Sequence, residues 1–339
     1  MLKLNIINEI PDGLLDLASS KDIQQIFDQP TLLNLKGVKE NPLFISVLLH
    51  ANEDTGFIAV QELLKKYQDK ELPRSVSIFF GNIAASKEGV RRLKDQPDYN
   101  RVWPGTDHPE CDETRLMQNV VDEVAKQKPF ASIDVHNNTG KNPHYGCINS
   151  LEDEYLYLAS LFSRTVVFFE TPKGVQSMAM AKLCPAITLE CGQPHLPQGI
   201  EHATDFLDTV LHMESLNSTH LNINDIDVFQ TVARVTVPKT CTFSFTEKSA
   251  DILFDTKLDS MNFSELTEET VFGQIQNADK ACLEALDDHE QVVSDHYFTK
   301  KNNQIVLSKP MMPAMLTLDE NIIRQDCLCY LMERIELRP

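Results

Sequence analysis

Residues 45–64 read ISVLLHANEDTGFIAVQELL, and this stretch decides the fold prediction. Residues 45–49 form a continuous apolar run, which is typical of a strand buried on both faces of a parallel sheet. The apolar positions of residues 57–64 then recur with helical spacing, so a helix is expected after the strand. His50 is therefore predicted at the carboxyl end of a strand, in the turn before a helix, where open α/β sheets bind their ligands.

Glu53 follows His50 by three positions, among the suitable helix caps Asn52, Asp54 and Thr55. It is expected in a tight turn or in the first helical turn, where its carboxylate and the imidazole of His50 can reach one point. Two interpretations remain open from this stretch alone. The pair could bind a shared metal ion, or Glu53 could be a helix-start acid favoured by the helix dipole beside a histidine that ends the strand.

Composition narrows the class of protein. A chain of 339 residues with 42% hydrophobic residues is long enough for two packed domains. The formal net charge of -19 argues against a nucleic-acid or anionic-membrane partner, since such a surface repels phosphates. The eight cysteines are scattered, which favours reduced thiols. No apolar run approaches the roughly 18 to 20 residues of a membrane span, so we expect a cytoplasmic protein. The composition gives no indication of an oligomeric state.

From residue 44 to about residue 216, strand-like runs alternate with amphipathic segments. Residues 111–128 and 199–216 carry apolar residues with helical spacing and are predicted helices. This alternation is the signature of an α/β fold with a mostly parallel sheet flanked by helices. The predicted strands are FISVLL (44–49), VSIFF (76–80), FASIDV (130–135), RTVVFF (164–169) and PAITLE (185–190).

The character of the sequence changes after about residue 222, where shorter β-rich segments follow one another. Residues 296–308, HYFTKKNNQIVLS, predict a hairpin that turns at Lys300 to Asn303. The last stretch, residues 321–337, fits a helix or a strand equally well. We therefore predict a catalytic domain over 1–221 and a smaller β-rich domain over 222–339.

Titratable residues follow three predicted strands at the same edge of the sheet. His136 comes directly after the run FASIDV, as His50 follows its own strand. Each histidine alone has a structural explanation, as a hydrogen-bonded core residue. Together, His50, Glu53 and His136 would make a three-ligand zinc site with an open position for water, which is the catalytic arrangement. Such an ion lowers the pKa of water and polarises a substrate carbonyl.

Two carboxylates accompany this predicted zinc site. Glu190 ends another strand and is placed to accept the proton of water and donate it to a leaving group, although a salt-bridged strand-end acid is the alternative. Asp134 lies two residues before His136 and therefore on the same side of the strand. It could orient the other ring nitrogen of His136, or it could form a buried hydrogen bond with the backbone.

Residues 89–105, GVRRLKDQPDYNRVWPG, concentrate arginines in an otherwise acidic protein. Guanidinium groups bind carboxylates through two parallel hydrogen bonds, so Arg101 is a plausible anchor for an acidic substrate group. An arginine near zinc could also stabilise a tetrahedral oxyanion. Alternatively, the arginines pair with Asp95 and Asp98 within the loop.

Four motifs follow one another along the chain. They are His50-x-x-Glu53, DYNR, DVH, which ends at His136, and TLECG, which contains Glu190. The chain thereby resembles the succinylglutamate desuccinylase and aspartoacylase branch of the zinc carboxypeptidases, over about residues 44–216. The resemblance implies a carboxypeptidase-like α/β domain with a small β domain after it. It also implies one zinc ion, bound by His50, Glu53 and His136, with Glu190 as the base.

For the substrate, the resemblance implies that Asn100 and Arg101 bind a carboxylate and that Arg92 polarises the scissile carbonyl, with Arg91 one residue away. It also implies that Tyr297 contacts the substrate. Two departures stand out: Ala51 replaces the usual glycine after the first histidine, and residues 174–190 lack a second carboxylate-binding arginine. A substrate other than acetylaspartate or succinylglutamate is therefore expected.

These features predict a zinc hydrolase that cleaves an amide bond near a carboxylate, in a small molecule or a short peptide. A metallocarboxypeptidase that trims peptide carboxyl ends is an alternative, because the Asn-Arg pair serves both reactions. A catalytically silent binding protein is a third. The complete set of ligands and base argues against silence, since a binding protein has no chemical need for both.

Overall fold

The computed structural model describes residues 2–216 and 223–337, and the chain divides into two compact units. The first unit contains the residues up to 137 together with His144–Asp227, and the second contains Asn138–Pro143 and the residues from Val228 on. The predicted boundary between residues 221 and 222 lies outside the described residues. Within the described ranges, every helix is too short or too polar to cross a bilayer.

The first unit is built on a mixed, mostly parallel sheet, as the sequence predicts. The strand order is β1-β2-β4-β3-β5-β8-β6-β7. β2 pairs with β4 and β6 pairs with β8 antiparallel, whereas the central pairs β3/β4, β3/β5 and β5/β8 are parallel. The strands are β1 (Asn5–Ile7), β2 (Thr31–Leu35), β3 (Gly37–Val47), β4 (Leu72–Phe80), β5 (Ala131–His136), β6 (Tyr145–Ile148), β7 (Thr165–Phe168) and β8 (Ala186–Glu190).

Helices flank this sheet. The two predicted long helices are present as α3 and α6, and the helix expected after His50 is α1. Apolar residues of α1 at the predicted spacing, Phe57, Val60 and Leu64, are at most 2% exposed. The helices are α1 (Thr55–Lys66), α2 (Ile83–Ser86), α3 (Asp112–Lys126), α4 (Asp153–Phe162), α5 (Gln176–Met180) and α6 (Pro197–His212).

Gly56 allows the start of α1 to lie directly against the sheet. A Cβ atom at this position would lie 2.8 Å from Cβ of Val135 and 2.9 Å from Cγ1 of Val47, closer than side-chain atoms pack. Val47 belongs to β3 and Val135 to β5, so the helix begins over the carboxyl ends of both strands. This contact fixes the turn between β3 and α1, which carries His50 and Glu53.

The second unit contains a five-stranded sheet of order β10-β11-β12-β15-β14 and a group of strands paired around β9. β9 pairs antiparallel with β17 and β13, and β17 pairs antiparallel with β16. The elements are β9 (Asp227–Thr236), β10 (Phe243–Ser244), β11 (Ile252–Phe254), β12 (Val271–Ile275), β13 (Glu284–Leu286), β14 (Phe298–Lys301), β15 (Gln304–Leu307), β16 (Met312–Ala314), α7 (Glu320–Gln325) and β17 (Cys329–Ile335).

The hairpin predicted over residues 296–308 is confirmed as β14 and β15. Asn302 and Asn303 form its turn with φ angles of 51° and 57°, the left-handed conformation that a two-residue hairpin turn requires. The last stretch, residues 321–337, contains both of the structures that its sequence allowed. It contains most of α7, which ends at Gln325, and then β17, which begins at Cys329.

Candidate metal and catalytic site

A tight turn after β3 carries the first two predicted metal ligands. The N–H of Glu53 donates to the carbonyl of His50 at 3.1 Å, so Glu53 lies in the turn and not in α1, which begins at Thr55. His136 ends β5, the neighbouring strand. All three side chains are buried: His50 and Glu53 are each 6% exposed and His136 is 4% exposed.

The ligand atoms of these three residues converge on one point. Oε1 of Glu53 lies 2.8 Å from Nδ1 of His50, and Oε2 lies 2.8 Å from Nδ1 of His136. The two Nδ1 atoms are 3.2 Å apart. Among the described residues, this is the group of histidine, cysteine and acidic side chains arranged to hold a metal ion.

The other ring nitrogen of each histidine faces a carboxylate. Nε2 of His50 lies 2.9 Å from Oδ1 of Asp98, and Nε2 of His136 lies 2.8 Å from Oδ2 of Asp134. An ionised carboxylate only accepts hydrogen bonds, so both Nε2 atoms carry a hydrogen. When both imidazoles are neutral, which is the form that binds a metal ion, both Nδ1 atoms present lone pairs toward each other and toward Glu53. The predicted contact between Asp134 and His136 is present.

This donor set fits zinc. Lone pairs from two imidazoles and one carboxylate repel one another unless a cation lies between them, and nitrogen with carboxylate oxygen is a common zinc ligand set. Tetrahedral zinc with nitrogen ligands at about 2.0–2.1 Å holds those nitrogens roughly 3.3–3.4 Å apart. The separation of 3.2 Å between the two Nδ1 atoms is close to that spacing, whereas the separations of 2.8 Å between these atoms and the oxygen atoms of Glu53 are hydrogen-bond lengths. Carboxylates behind the histidines are the usual partners of metal-binding imidazoles.

The charged side chains of this cluster shift one another's pKa. Burial acts to raise the pKa of Glu53, but the two neighbouring histidines hold that pKa well below its usual range. Burial acts to lower the pKa of His136, but Asp134 and Glu53 raise it well above its usual range. Burial likewise opposes the ionisation of Asp98, whose pKa His50 and Arg91 hold well below its usual range. The carboxylates of this cluster therefore attract positive charge to the point between the ligands.

Asn100, predicted to bind substrate, contributes its side chain to the network around His136. Its Nδ2 lies 3.3 Å from Oδ2 of Asp134 and 3.2 Å from Nε2 of His136, and its Oδ1 accepts the backbone N–H of Gln176 at 2.9 Å. The side chain is 6% exposed. The hydrogen bonds to Asp134 and from Gln176 hold the side chain of Asn100 beside the predicted metal ligands, and a contact of Asn100 with substrate stays a prediction.

Of the two neighbouring arginines, Arg91 lies beside the cluster. Its guanidinium donates to Oδ2 of Asp98 at 3.1 and 2.9 Å, and its Nη1 is 3.6 Å from Oε1 of Glu53. Arg92, which the resemblance favoured, instead donates to the carbonyl of Gln96 at 2.6 Å. The physical reason lies in the backbone, because the N–H of Ala51 donates to the carbonyl of Arg91 and fixes that residue against the turn.

Arg101 is half-buried next to this network. Its Nη1 donates to the carbonyl of Asn100 at 2.8 Å, and its own carbonyl accepts from Oγ1 of Thr106 at 2.6 Å. Its charge also contributes to lowering the pKa of Asp98. These contacts hold the backbone of Arg101 in the loop. Binding of a substrate carboxylate by Arg101 stays a prediction.

Glu190, the predicted base, ends β8 and is 8% exposed. In the parallel pairing of β5 and β8, its Cα atom lies opposite that of His136. Paired residues on adjacent strands project to the same face of a sheet, so Glu190 and His136 share a face. The register of two strands thus places a carboxylate beside a predicted metal ligand.

Tyr297 lies in the second unit. Its hydroxyl donates to the carbonyl of Val232 at 3.5 Å, and Nζ of Lys309 lies 4.8 Å from the centre of its ring. The residue is 8% exposed, and burial raises the pKa of its hydroxyl. Its predicted contact with substrate stays a prediction.

Sequence reasoning missed two groups that contact the predicted ligands. Asp98 was considered as a partner for arginines but not for His50, which it meets through a loop 48 residues further along the chain. Asn137 was not considered, although it directly follows His136. Its N–H donates to Oε2 of Glu53 at 3.0 Å and its Nδ2 donates to the carbonyl of Gly192 at 2.9 Å.

Comparison with solved structures identifies the same fold. Succinylglutamate desuccinylase from Chromobacterium violaceum is 17% identical with a TM-score of 0.53, over 80% of this chain and 85% of that chain. Succinylglutamate desuccinylase/aspartoacylase from Rhodobacter sphaeroides is 15% identical with a TM-score of 0.59, over 89% and 88%. Murine aminoacylase 3 is 14% identical with a TM-score of 0.59, over 88% and 96%.

A search of curated proteins gives no match to the sequence. Residues 40–217, more than half of the chain, match the sequence profile of the succinylglutamate desuccinylase/aspartoacylase catalytic domain. This range contains the turn with His50 and Glu53, the strand end with His136 and the strand end with Glu190. The chain belongs to the succinylglutamate desuccinylase/aspartoacylase family.

Proposed function

We propose that the chain is a zinc-dependent hydrolase that cleaves the amide bond of an N-acyl amino acid with a free carboxylate. The observation that carries the proposal is the convergence of two imidazole Nδ1 atoms and the carboxylate of Glu53, with Asp98 and Asp134 behind the histidines. Three protein ligands leave a coordination position for reacting groups, as catalytic zinc sites do.

Zinc, held by His50, Glu53 and His136, would supply Lewis-acid polarisation of the substrate carbonyl and would make water more acidic. Glu190 accepts a proton from the attacking water and delivers it to the nitrogen of the leaving amine. The water oxygen thereby forms a bond to the carbonyl carbon while the bond from carbon to nitrogen breaks. The products are a carboxylic acid and an amine.

Arg91 is the residue that we assign to the developing oxyanion. Its guanidinium lies 3.6 Å from Glu53 and is held in one orientation by Asp98. Preorganised donors of this kind stabilise charge that appears in the transition state. The resemblance assigned the role to Arg92, so the two arginines have to be substituted separately.

Arg101 is the proposed anchor for the substrate carboxylate. Its loop is tied to the ligand framework, because Asn100 beside it contacts His136 and Asp134. A guanidinium binds a carboxylate through parallel hydrogen bonds, which orients the substrate as well as attracting it. With one such anchor, we infer a substrate with one bound carboxylate and an acyl group other than an acidic one.

The proposal is tested with a panel of N-acyl amino acids and short peptides, using the zinc-loaded protein, the same protein after chelation, and Glu190→Gln. We expect zinc-dependent hydrolysis of acyl amino acids that is lost in the variant. Hydrolysis of peptides alone would favour a carboxypeptidase. Binding of zinc without hydrolysis of any member of the panel would favour a binding protein.

A further inference from the structure

His195 lies in the loop between β8 and α6, five residues after Glu190. Its side chain is 73% exposed, yet one edge of the ring is held firmly. Nδ1 lies 2.7 Å from Oδ2 of Asp54, and the backbone N–H of His195 donates to Oδ1 of the same carboxylate at 3.3 Å. One residue thus occupies both oxygen atoms of Asp54.

The backbone of His195 adopts a conformation that L residues rarely use. Its φ angle is 64°, in the left-handed region. This conformation brings the ring and the N–H of the residue to the same carboxylate. Non-glycine residues in this region persist where surrounding contacts hold them, and such residues concentrate at functional sites.

Asp54 is the neighbour of a proposed metal ligand. It directly follows Glu53, precedes the first residue of α1 and is 4% exposed. A carboxylate buried to this degree has to be hydrogen bonded. Among the described residues, the side-chain hydrogen bonds of Asp54 both come from His195.

A second connection joins the same two segments. Gly192, two residues after Glu190, accepts from Nδ2 of Asn137, and the N–H of Asn137 donates to Glu53. The segment that follows Glu190 is therefore attached to the turn of Glu53 at Gly192 and again at His195. Between them, the two attachments leave little freedom for the residues that follow the end of β8.

We propose that His195 is a positioning residue, which latches the segment after Glu190 to the turn that carries Glu53. The consequence for catalysis rests on the function proposed above. A base and a metal ligand on separate segments must keep their spacing, since a displacement of about 1 Å can cost about a hundredfold in rate. The latch sets that spacing without contacting the substrate.

The test is a double-substitution cycle of His195→Ala, Asp54→Asn and both together, with zinc content measured in each protein. We expect faster amide hydrogen exchange of residues 191–196 in each single variant, and no further increase in the double variant. His195→Ala should keep its zinc and its KM, while kcat falls about tenfold, within the range expected for misplaced groups.

Two further substitutions separate the hydrogen bond from the backbone conformation. His195→Asn should restore most of kcat, because asparagine visits the left-handed region and its Nδ2 can donate to Asp54. His195→Gly relieves the backbone but lacks the ring, so it should behave like His195→Ala. His289→Ala is the control, since the His289 side chain is 74% exposed and lies in the second unit; it should leave exchange and kcat unchanged.

Unchanged hydrogen exchange of residues 191–196 in His195→Ala would overturn the latch. Normal kcat together with faster exchange would show that the contact between His195 and Asp54 is only structural, and it would overturn the positioning role. Loss of zinc in His195→Ala would do the same, by assigning the effect to metal binding. A wild-type chain that hydrolyses no substrate would refute the proposed function, whereas the exchange cycle would still decide whether the latch exists.

Discussion

At the scale of single residues, the site depends on which nitrogen of each imidazole carries the hydrogen. Asp98 and Asp134 decide this by accepting from Nε2 of His50 and His136. The sequence placed both histidines correctly at strand ends, because hydrophobic runs locate strands and parallel strands end at one edge. The hydrogen-bond partner of His50 could not be predicted from such runs, because Asp98 lies in a loop whose path depends on tertiary contacts.

Replacing Glu190 with glutamine tests the base. The amide has nearly the same shape but cannot accept the proton, so we expect turnover to fall by about a hundredfold or more, the usual scale for loss of general acid-base catalysis. Zinc content and thermal unfolding should stay as in the wild type. Near-normal turnover would assign activation of water to another group.

Arg91 and Arg92 offer a matched pair of substitutions. Because Arg91 contacts Asp98 and Glu53 whereas Arg92 contacts the carbonyl of Gln96, we expect Arg91→Ala to lower kcat by about a hundredfold and Arg92→Ala to change it less than threefold. Steady-state kinetics on one substrate decides between them. The opposite ranking would return the oxyanion role to Arg92.

Arg101→Ala tests the anchor for the substrate carboxylate. Losing one partner of a desolvated charge pair costs about 2 to 5 kcal/mol, so kcat/KM should fall steeply for a substrate with a free carboxylate. The amidated analogue of that substrate should be much less affected. Equal losses on both substrates would mean that Arg101 supports the loop, where its backbone already contacts Thr106.

At the scale of secondary structure, elements with a continuous apolar run or a long amphipathic face were predictable. The strands β3, β4, β5, β7 and β8 coincide with apolar runs in the sequence, and α3 and α6 with amphipathic segments. β1 and β6, with three and four residues, have neither a continuous apolar run nor enough positions to establish a period. The stretch 321–337 was ambiguous because it contains a short helix followed by a strand.

Gly56→Ala tests the packing of α1 on the sheet. The new methyl would overlap Val135 and Val47, and overpacking of a dense core costs about 1–3 kcal/mol, so the free energy of unfolding should fall by about that amount. Chemical denaturation provides the measurement. Lys65→Ala on the exposed side of the same helix is the control, and an unchanged stability of Gly56→Ala would show that the helix can shift away from the strands.

At the scale of the whole molecule, the net charge and the family resemblance could be established from the sequence alone. The family resemblance extended over about residues 44–216, and the family profile covers residues 40–217. The division of the chain into two units was harder to predict from the sequence. Asn138–Pro143 belong to the second unit although they lie within the first unit in sequence, and periodicity carries no information about such an excursion.

Zinc should stabilise the whole chain, because the cluster that we propose as its site exists only when β3 and β5 are paired. A ligand that binds only the folded state raises the free energy of unfolding by about 2.7 kcal/mol at a hundred times its Kd. We therefore expect the unfolding temperature to rise with zinc and to fall again with a chelator. His136→Ala should lose most of its zinc and show no such rise; full zinc occupancy in this variant would remove His136 from the site.

β3 lies between β4 and β5 in the sheet, and both of these neighbours are synthesised after it. His50 and Glu53 emerge from the ribosome long before His136 and Glu190. At about 5–20 residues per second, the interval between His50 and His136 is roughly 4 to 17 s. During that time β3 lacks its neighbour β5, and the two predicted metal ligands of the turn lack the third. We therefore expect the edge of β3 to stay unpaired in the nascent chain for longer than in a protein with local strand pairing, and we expect metal binding only after β5 has been made.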